Sequence, residues 1–142
     1  MDLMNGIANS GSIPVAEAVL RFTGARHAVL ANNVANIDTP FYRARDLDAQ
    51  AFERTLADAV AVRGENGALR FAESRNIRLR DGRIEFRTIV RSVDPLRHDQ
   101  NDNSIETEMG LLHKNAMTAK VMARFLRSRY QALRAAVSGR SL

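Results

Sequence analysis

From Ile105 onward, apolar residues fall alternately four and three positions apart: Ile105, Met109, Leu112, Ala116, Ala119, Ala123, Leu126, Tyr130, Leu133 and Val137. A mean period of 3.5 keeps one stripe on one side of a helix, and at ~1.5 Å per residue this stripe runs about 50 Å. An isolated helix cannot hide such a face from water, so a second helix is required to cover it. The boundaries agree. Asn103 stands three residues before Glu106, which predicts a side-chain cap answered by a carboxylate, and Gly139 predicts a left-handed stop. Glu106 and Glu108 fall in the first turn, with Lys114, Lys120, Arg124, Arg127, Arg129 and Arg134 beyond it, the charge order that a helix macrodipole favours. A helix over 104–138 follows.

The partner is near the other end. Val15, Ala18, Phe22, Ala25 and Val29 repeat the same spacing, continued by Asn32 and Asn36, and Pro14 suits a first helical turn with Ser12 as its cap. This predicts a helix over 13–36 packed against the C-terminal one as an antiparallel coiled-coil hairpin. Gly24 costs about 1 kcal/mol relative to Ala in mid-helix, which is read as close approach of a neighbouring backbone.

Between the two lies a middle segment, 37–103. Asp38-Thr39-Pro40 ends the first helix and Phe41-Tyr42 gives an extended exit. Asp46 to Val62 reads as a short amphipathic helix carrying Leu47, Phe52, Leu56, Ala59 and Val60, ended by Arg63 to Gly67. Asp81-Gly82 is a two-residue turn between the alternating runs Ile77–Arg80 and Arg83–Phe86, so a small β-hairpin is predicted. Asp94 to Asn103 reads as a loop. Residues 1–12 read as a flexible leader that orders only against a neighbour, and 13–142 as a single elongated, mainly α domain.

Composition narrows the chemistry. Six per cent of residues are aromatic and none is Trp, which suits narrow helix packing more than a bulky interior. The absence of Cys excludes disulfides and thiolate chemistry, and Met1 to Gly6 has neither a basic region nor an apolar run, so no cleaved signal peptide and no membrane insertion are expected. His27, His98 and His113 have no ligand-spaced companion, and the Asp99-Asn101-Asn103 alternation lacks the glycine and glutamate of a calcium loop. Phosphate-loop and nucleophile-elbow patterns are missing. No catalytic residue, cofactor or metal is expected. The net charge of +5 permits an alternative, a helical adaptor that binds nucleic acid or an anionic surface. Lys120, Arg124, Arg127 and Arg134, with Arg78, Arg80, Arg83 and Arg87, lack interleaved aromatics, so a solvated cationic face is favoured and no nucleic acid is expected.

The stretch Ala31-Asn32-Asn33-Val34-Ala35-Asn36-Ile37-Asp38-Thr39-Pro40 does not fit an ordinary helix end. Asn is a poor helix former, yet three of them continue or adjoin the apolar stripe. The residues alone leave two readings open: a frayed terminus capped by Asn, or buried amides that fix register across an interface. This stretch, followed by Tyr42-Arg43-Ala44-Arg45-Asp46-Leu47, resembles the signature of the bacterial flagellar basal-body rod proteins, and Asn101 to Met109 is similar to the family's entry into its C-terminal helix. The Ala-Arg-Asp-Leu run and the lack of a large central insertion resemble the proximal rod subunits of that family. One departure stands out: the family's Gly after Pro is Phe41, so a positive φ there would be strained. The resemblance implies a structural subunit stacked into a helical tube and no enzyme. It also implies as partners other rod subunits (self and FlgC), FliE and the flagellar export apparatus, with location in the periplasm-spanning rod. Implied assembly and packing residues are Val15, Phe22, Val29, Asn32, Asn33, Asn36, Asp38, Thr39, Pro40, Tyr42, Met109, Leu112, Leu126, Tyr130, Leu133 and Val137.

Overall fold

The computed structural model describes residues 12–62, 69–74, 76–80, 83–91 and 104–139. Three helices dominate: α1 (Ser12–Ala35), α2 (Ala49–Ala61) and α3 (Ile105–Ser138). Between α1 and α3 lie four short strands, β1 (Arg45–Asp46), β2 (Ile77–Arg80), β3 (Arg83–Phe86) and β4 (Ile89–Val90). The fold is mainly α, with α1 and α3 packed against each other along much of their length. Their pairing is antiparallel, since Glu17 of α1 meets Tyr130 of α3 while Asn33 meets Glu108.

Local chemistry sets the ends of each element. Gly139 stops α3 with φ 64, and its N–H returns to the Ala135 and Ala136 carbonyls. The N-cap of α3 is Ser104, not Asn103: its hydroxyl accepts from the Thr107 N–H at 3.1 Å, so the cap falls one residue later than the spacing to Glu106 suggested. Ser12, read as the cap of α1, is instead its first helical residue. The middle helix is shorter than predicted because Asp48 takes the N-cap role, accepting from Ala51 N–H at 2.9 Å, which leaves Asp46 in an extended strand. The strands β2 and β3 form the predicted hairpin in the register Ile77↔Phe86 to Arg80↔Arg83, with Arg78 opposite Glu85. A second antiparallel pair, β1 with β4, was not legible in two-residue strands. The leader, the segment from Arg63 to Gly67, the hairpin turn Asp81-Gly82, His98 and the loop from Asp94 to Asn103 lie outside the described residues.

The apolar core corrects the predicted pairing of stripes. Ala18 and Phe22 bury themselves with Leu47, Phe52, Leu56 and Ile77, and Val15, Val19, Ala25 and Val29 pack against that cluster. The heptad stripe of α1 therefore faces the middle segment and not α3. Aromatic geometry explains the preference: Phe22 stacks on Phe52 at 4.2 Å and 4°, while Phe86 meets Phe22 and Phe52 edge-on at 5.4 Å and 5.8 Å. Such pairs add about 0.5–1.5 kcal/mol each beyond the area they bury.

Candidate assembly site

Turning α1 toward the middle segment leaves its other side for α3, and that side is partly polar. Thr23, Leu30 and Asn33 are buried there. From α3, Glu108, Asn115 and Leu126 are buried and Leu112, Ala119, Met122 and Leu133 are half-buried. Of the ten predicted α3 seam residues, four face inward: Leu112, Ala119, Leu126 and Leu133, one per heptad. The remaining part, Ile105, Met109, Ala116, Ala123, Tyr130 and Val137, is exposed, with Val137 at 82%. Its place in the interface is taken by Glu108 and Asn115, each one residue earlier, so the helix is rotated by part of a turn from the apolar reading.

The rotation is held by hydrogen bonds. Glu108 is 0% exposed, and such burial of a carboxylate is tolerable only when it is paired and bonded. One carboxylate oxygen accepts from Asn33 Nδ2 at 3.0 Å, and the other meets the Arg91 guanidinium. Asn33 donates also to the Arg45 carbonyl at 2.7 Å, while its Oδ1 accepts from the Arg45 N–H and the Tyr42 hydroxyl, both at 3.1 Å. One amide thus uses two donors and two acceptor positions. The circuit closes through the backbone, because β1 pairs with β4 and the Arg91 N–H donates to the Ala44 carbonyl at 3.0 Å. Farther along, Asn115 Nδ2 donates to the Thr23 carbonyl at 2.8 Å.

A second ionic tie fastens β1 to α1. Arg26 grips Asp46 with two bonds of 2.7 Å, and the Asp46 carboxylate also accepts from the Leu47 N–H. The hydrogen bond that Arg26 donates to this carboxylate raises the Arg26 pKa above its ordinary value against the opposing effect of burial. At the far end of α3, Tyr130 donates to Glu17 at 2.8 Å, and that bond to a carboxylate raises the Tyr130 pKa above its usual value.

The asparagine stretch divides between its two readings. Asn33 is the buried, register-fixing amide. Asn36 is the capping amide: its Nδ2 donates to the Asn32 carbonyl and to Asn32 Oδ1, and Thr39 Oγ1 leans on Asn36 Oδ1 at 3.4 Å. Beyond them Asp38, Thr39 and Pro40 are exposed and Tyr42 is half-buried. Phe41 adopts φ 61, a left-handed conformation that costs a residue with a Cβ roughly 1–2 kcal/mol, so the loop does not take another path to avoid the strain. Gly24 departs from its reading as a close approach: nothing lies within 4 Å of where a Cβ would stand. His27 and His113 are exposed, and among the described residues no group of three His, Asp or Glu could hold a metal. No described helix is long and apolar enough to cross a membrane.

Sequence reasoning missed Glu108, Asn115, Arg91, Arg26 and Asp46. Asp46 and Glu108 lie within the motifs quoted above, Glu108 as a first-turn acid, whereas no local pattern marks Arg26, Arg91 or Asn115.

The molecule therefore combines a locked pair of long helices with an apolar part of the α3 seam left open. It is 26% identical over 141 residues to the flagellar basal body rod protein FlgB of Aquifex aeolicus, covering 99% of each chain. The chain resembles FlgB. A like match, 24% over 130 residues, joins it to the FlgB of Bacillus subtilis, covering 92% of this chain and 95% of that protein. No family model matches the sequence. The likeness to FlgB runs through both terminal helices and the middle segment alike.

Proposed function

We propose that this chain is a structural subunit of the flagellar basal-body rod, assembled through its terminal helices into a helical tube. The carrying observation is the open part of the α3 seam. Met109, Ala116, Ala123, Tyr130 and Val137 keep a seven-residue spacing down one side of a 34-residue helix and remain exposed, although the Tyr130 hydroxyl bonds Glu17 of α1. A stripe of that regularity suits another helix, and a contact between different surfaces of identical chains generates an open helical array. The near full-length likeness to two FlgB proteins supports the same reading.

In this reading Asn32, Asp38, Thr39 and Pro40, exposed at the end of α1, belong to the contacts between subunits. FlgC and FliE are the neighbouring proteins, the location is the periplasm-spanning rod, and the chain leaves the cell by the flagellar export apparatus without a cleaved signal peptide. It performs no catalysis. Asn33 is unsuited as an assembly probe, because its loss would damage the fold itself. Met109→Glu with Val137→Glu is the better choice, since both side chains are exposed in the single chain. The double variant should keep its melting temperature and fail to build rods or restore motility in a flagellated host lacking its own rod subunit. Normal motility would sink the proposal.

A further inference from the structure

Phe41 is 82% exposed, follows the exposed Pro40 and holds a positive φ. Among the described residues its ring joins none of the aromatic contacts, which all belong to Phe22, Phe52, Phe86 and Phe125. The fold thus carries a strained backbone that projects a large apolar side chain into water. At the other end of α1 lies an apolar cavity of about 540 Å³ between the first turns of that helix and the β2–β3 hairpin. Ala18, Phe71, Leu79 and Ile84 supply its apolar lining, with Glu17, Arg21 and Arg70 around them. Between Ala18 and Ala35 the helix rises roughly 25 Å, which separates projection from hollow.

We propose that Phe41 of one copy of this chain inserts into the hollow beside Leu79 of the next copy. The inference rests on the rod-subunit reading and adds a specific contact to it. Two observations favour a second copy as the occupant. Charge permits the pairing: Asp38 beside Phe41 is opposite in sign to Arg21 and Arg70 at the hollow. Placement also matches, because a projection and a hollow at opposite ends of one helix cannot satisfy each other within a chain, and between copies they form a head-to-tail contact. A phenylalanine ring buries only about 150–250 Å², against ~800 Å² per partner in a stable interface. The contact is therefore an anchor within an assembly, and purified chains pair weakly through it.

The chain has no cysteine, so introduced thiols report unambiguously. Purified Phe41→Cys and Leu79→Cys chains are mixed at high concentration and oxidised, with Val62→Cys, at another exposed site, replacing Phe41→Cys in the control. Disulfides need Cα atoms within ~7 Å, so the 41–79 mixture should give several-fold more heterodimer than the 62–79 control. The chain carrying both Phe41→Cys and Leu79→Cys should give a ladder of oligomers. Equal heterodimer yields, or a double variant that stops at dimer, overturn the contact. The parent chain and Phe41→Gly are also tested for motility in the host without its rod subunit. Restoration by the parent alone, with Phe41→Gly melting no lower than the parent, supports the contact. Restoration by both overturns it and leaves the rod reading standing. Failure of the parent removes the rod reading, and the disulfide yields then decide the contact by themselves.

Discussion

Two regions hold α1, and they do so by opposite physics. On one side the rings of Phe22, Phe52 and Phe86 meet within 5.8 Å, a contact that rewards area and volume and tolerates sliding by small amounts. On the other, Asn33, Glu108 and Arg91 meet through directed bonds that exist in one alignment. The aromatic side contributes apolar area and the polar side fixes alignment. A buried charge pair adds little net stability over apolar residues of the same shape, yet losing one partner is costly. Such a division suits a chain whose long helices must present a fixed outer face.

The largest expected effect comes from emptying the aromatic side. Phe22→Ala should cost about 3–5 kcal/mol, read by denaturant unfolding, with amide protection still showing the α1 and α3 pairing in what remains folded. Next comes the polar side. Asn33→Ala leaves the Arg45 backbone, the Tyr42 hydroxyl and one Glu108 oxygen without a partner, at about 1–3 kcal/mol for a buried group left unsatisfied. If the cluster sets register, replacing Asn33, Arg91 and Glu108 together by Leu, Met and Leu should recover the part of that loss that belongs to the unpaired Glu108 while broadening the nuclear magnetic resonance lines of α3. Sharp lines in that triple variant would remove the distinction drawn between the two regions.

Gly24→Ala touches neither region, since no atom stands near the new methyl group, and should stabilise by about 1 kcal/mol. A loss instead would show that a closer helix contact exists there in solution.

The smallest effect is electrostatic. Tyr130 has its folded pKa raised by Glu17, so the contribution is fully present below the unfolded tyrosine value of 10.0 and is lost as pH rises through the folded one. In a Tyr42→Phe background, the ultraviolet absorbance of tyrosinate should titrate above that of an unfolded control. Glu17→Gln should bring the two together.

Much of this architecture is legible in residue order because it is decided locally. The 34 residues of α3, the left-handed stop at Gly139 and the pairing of the alternating runs Ile77–Arg80 and Arg83–Phe86 follow from period, cap and alternation acting within a few residues. What the order could not determine is which stripe meets which. Apolar spacing shows that a face avoids water and is silent about its partner, so the stripe of α1 found the phenylalanines of the middle segment before it found α3. Nor could it show that Glu108 and Asn115 would lie inside. Their burial depends on Asn33 and Thr23, 75 and 92 residues away. Only the tertiary structure brings those groups within hydrogen-bond distance, and with them it decides which part of the α3 seam stays open.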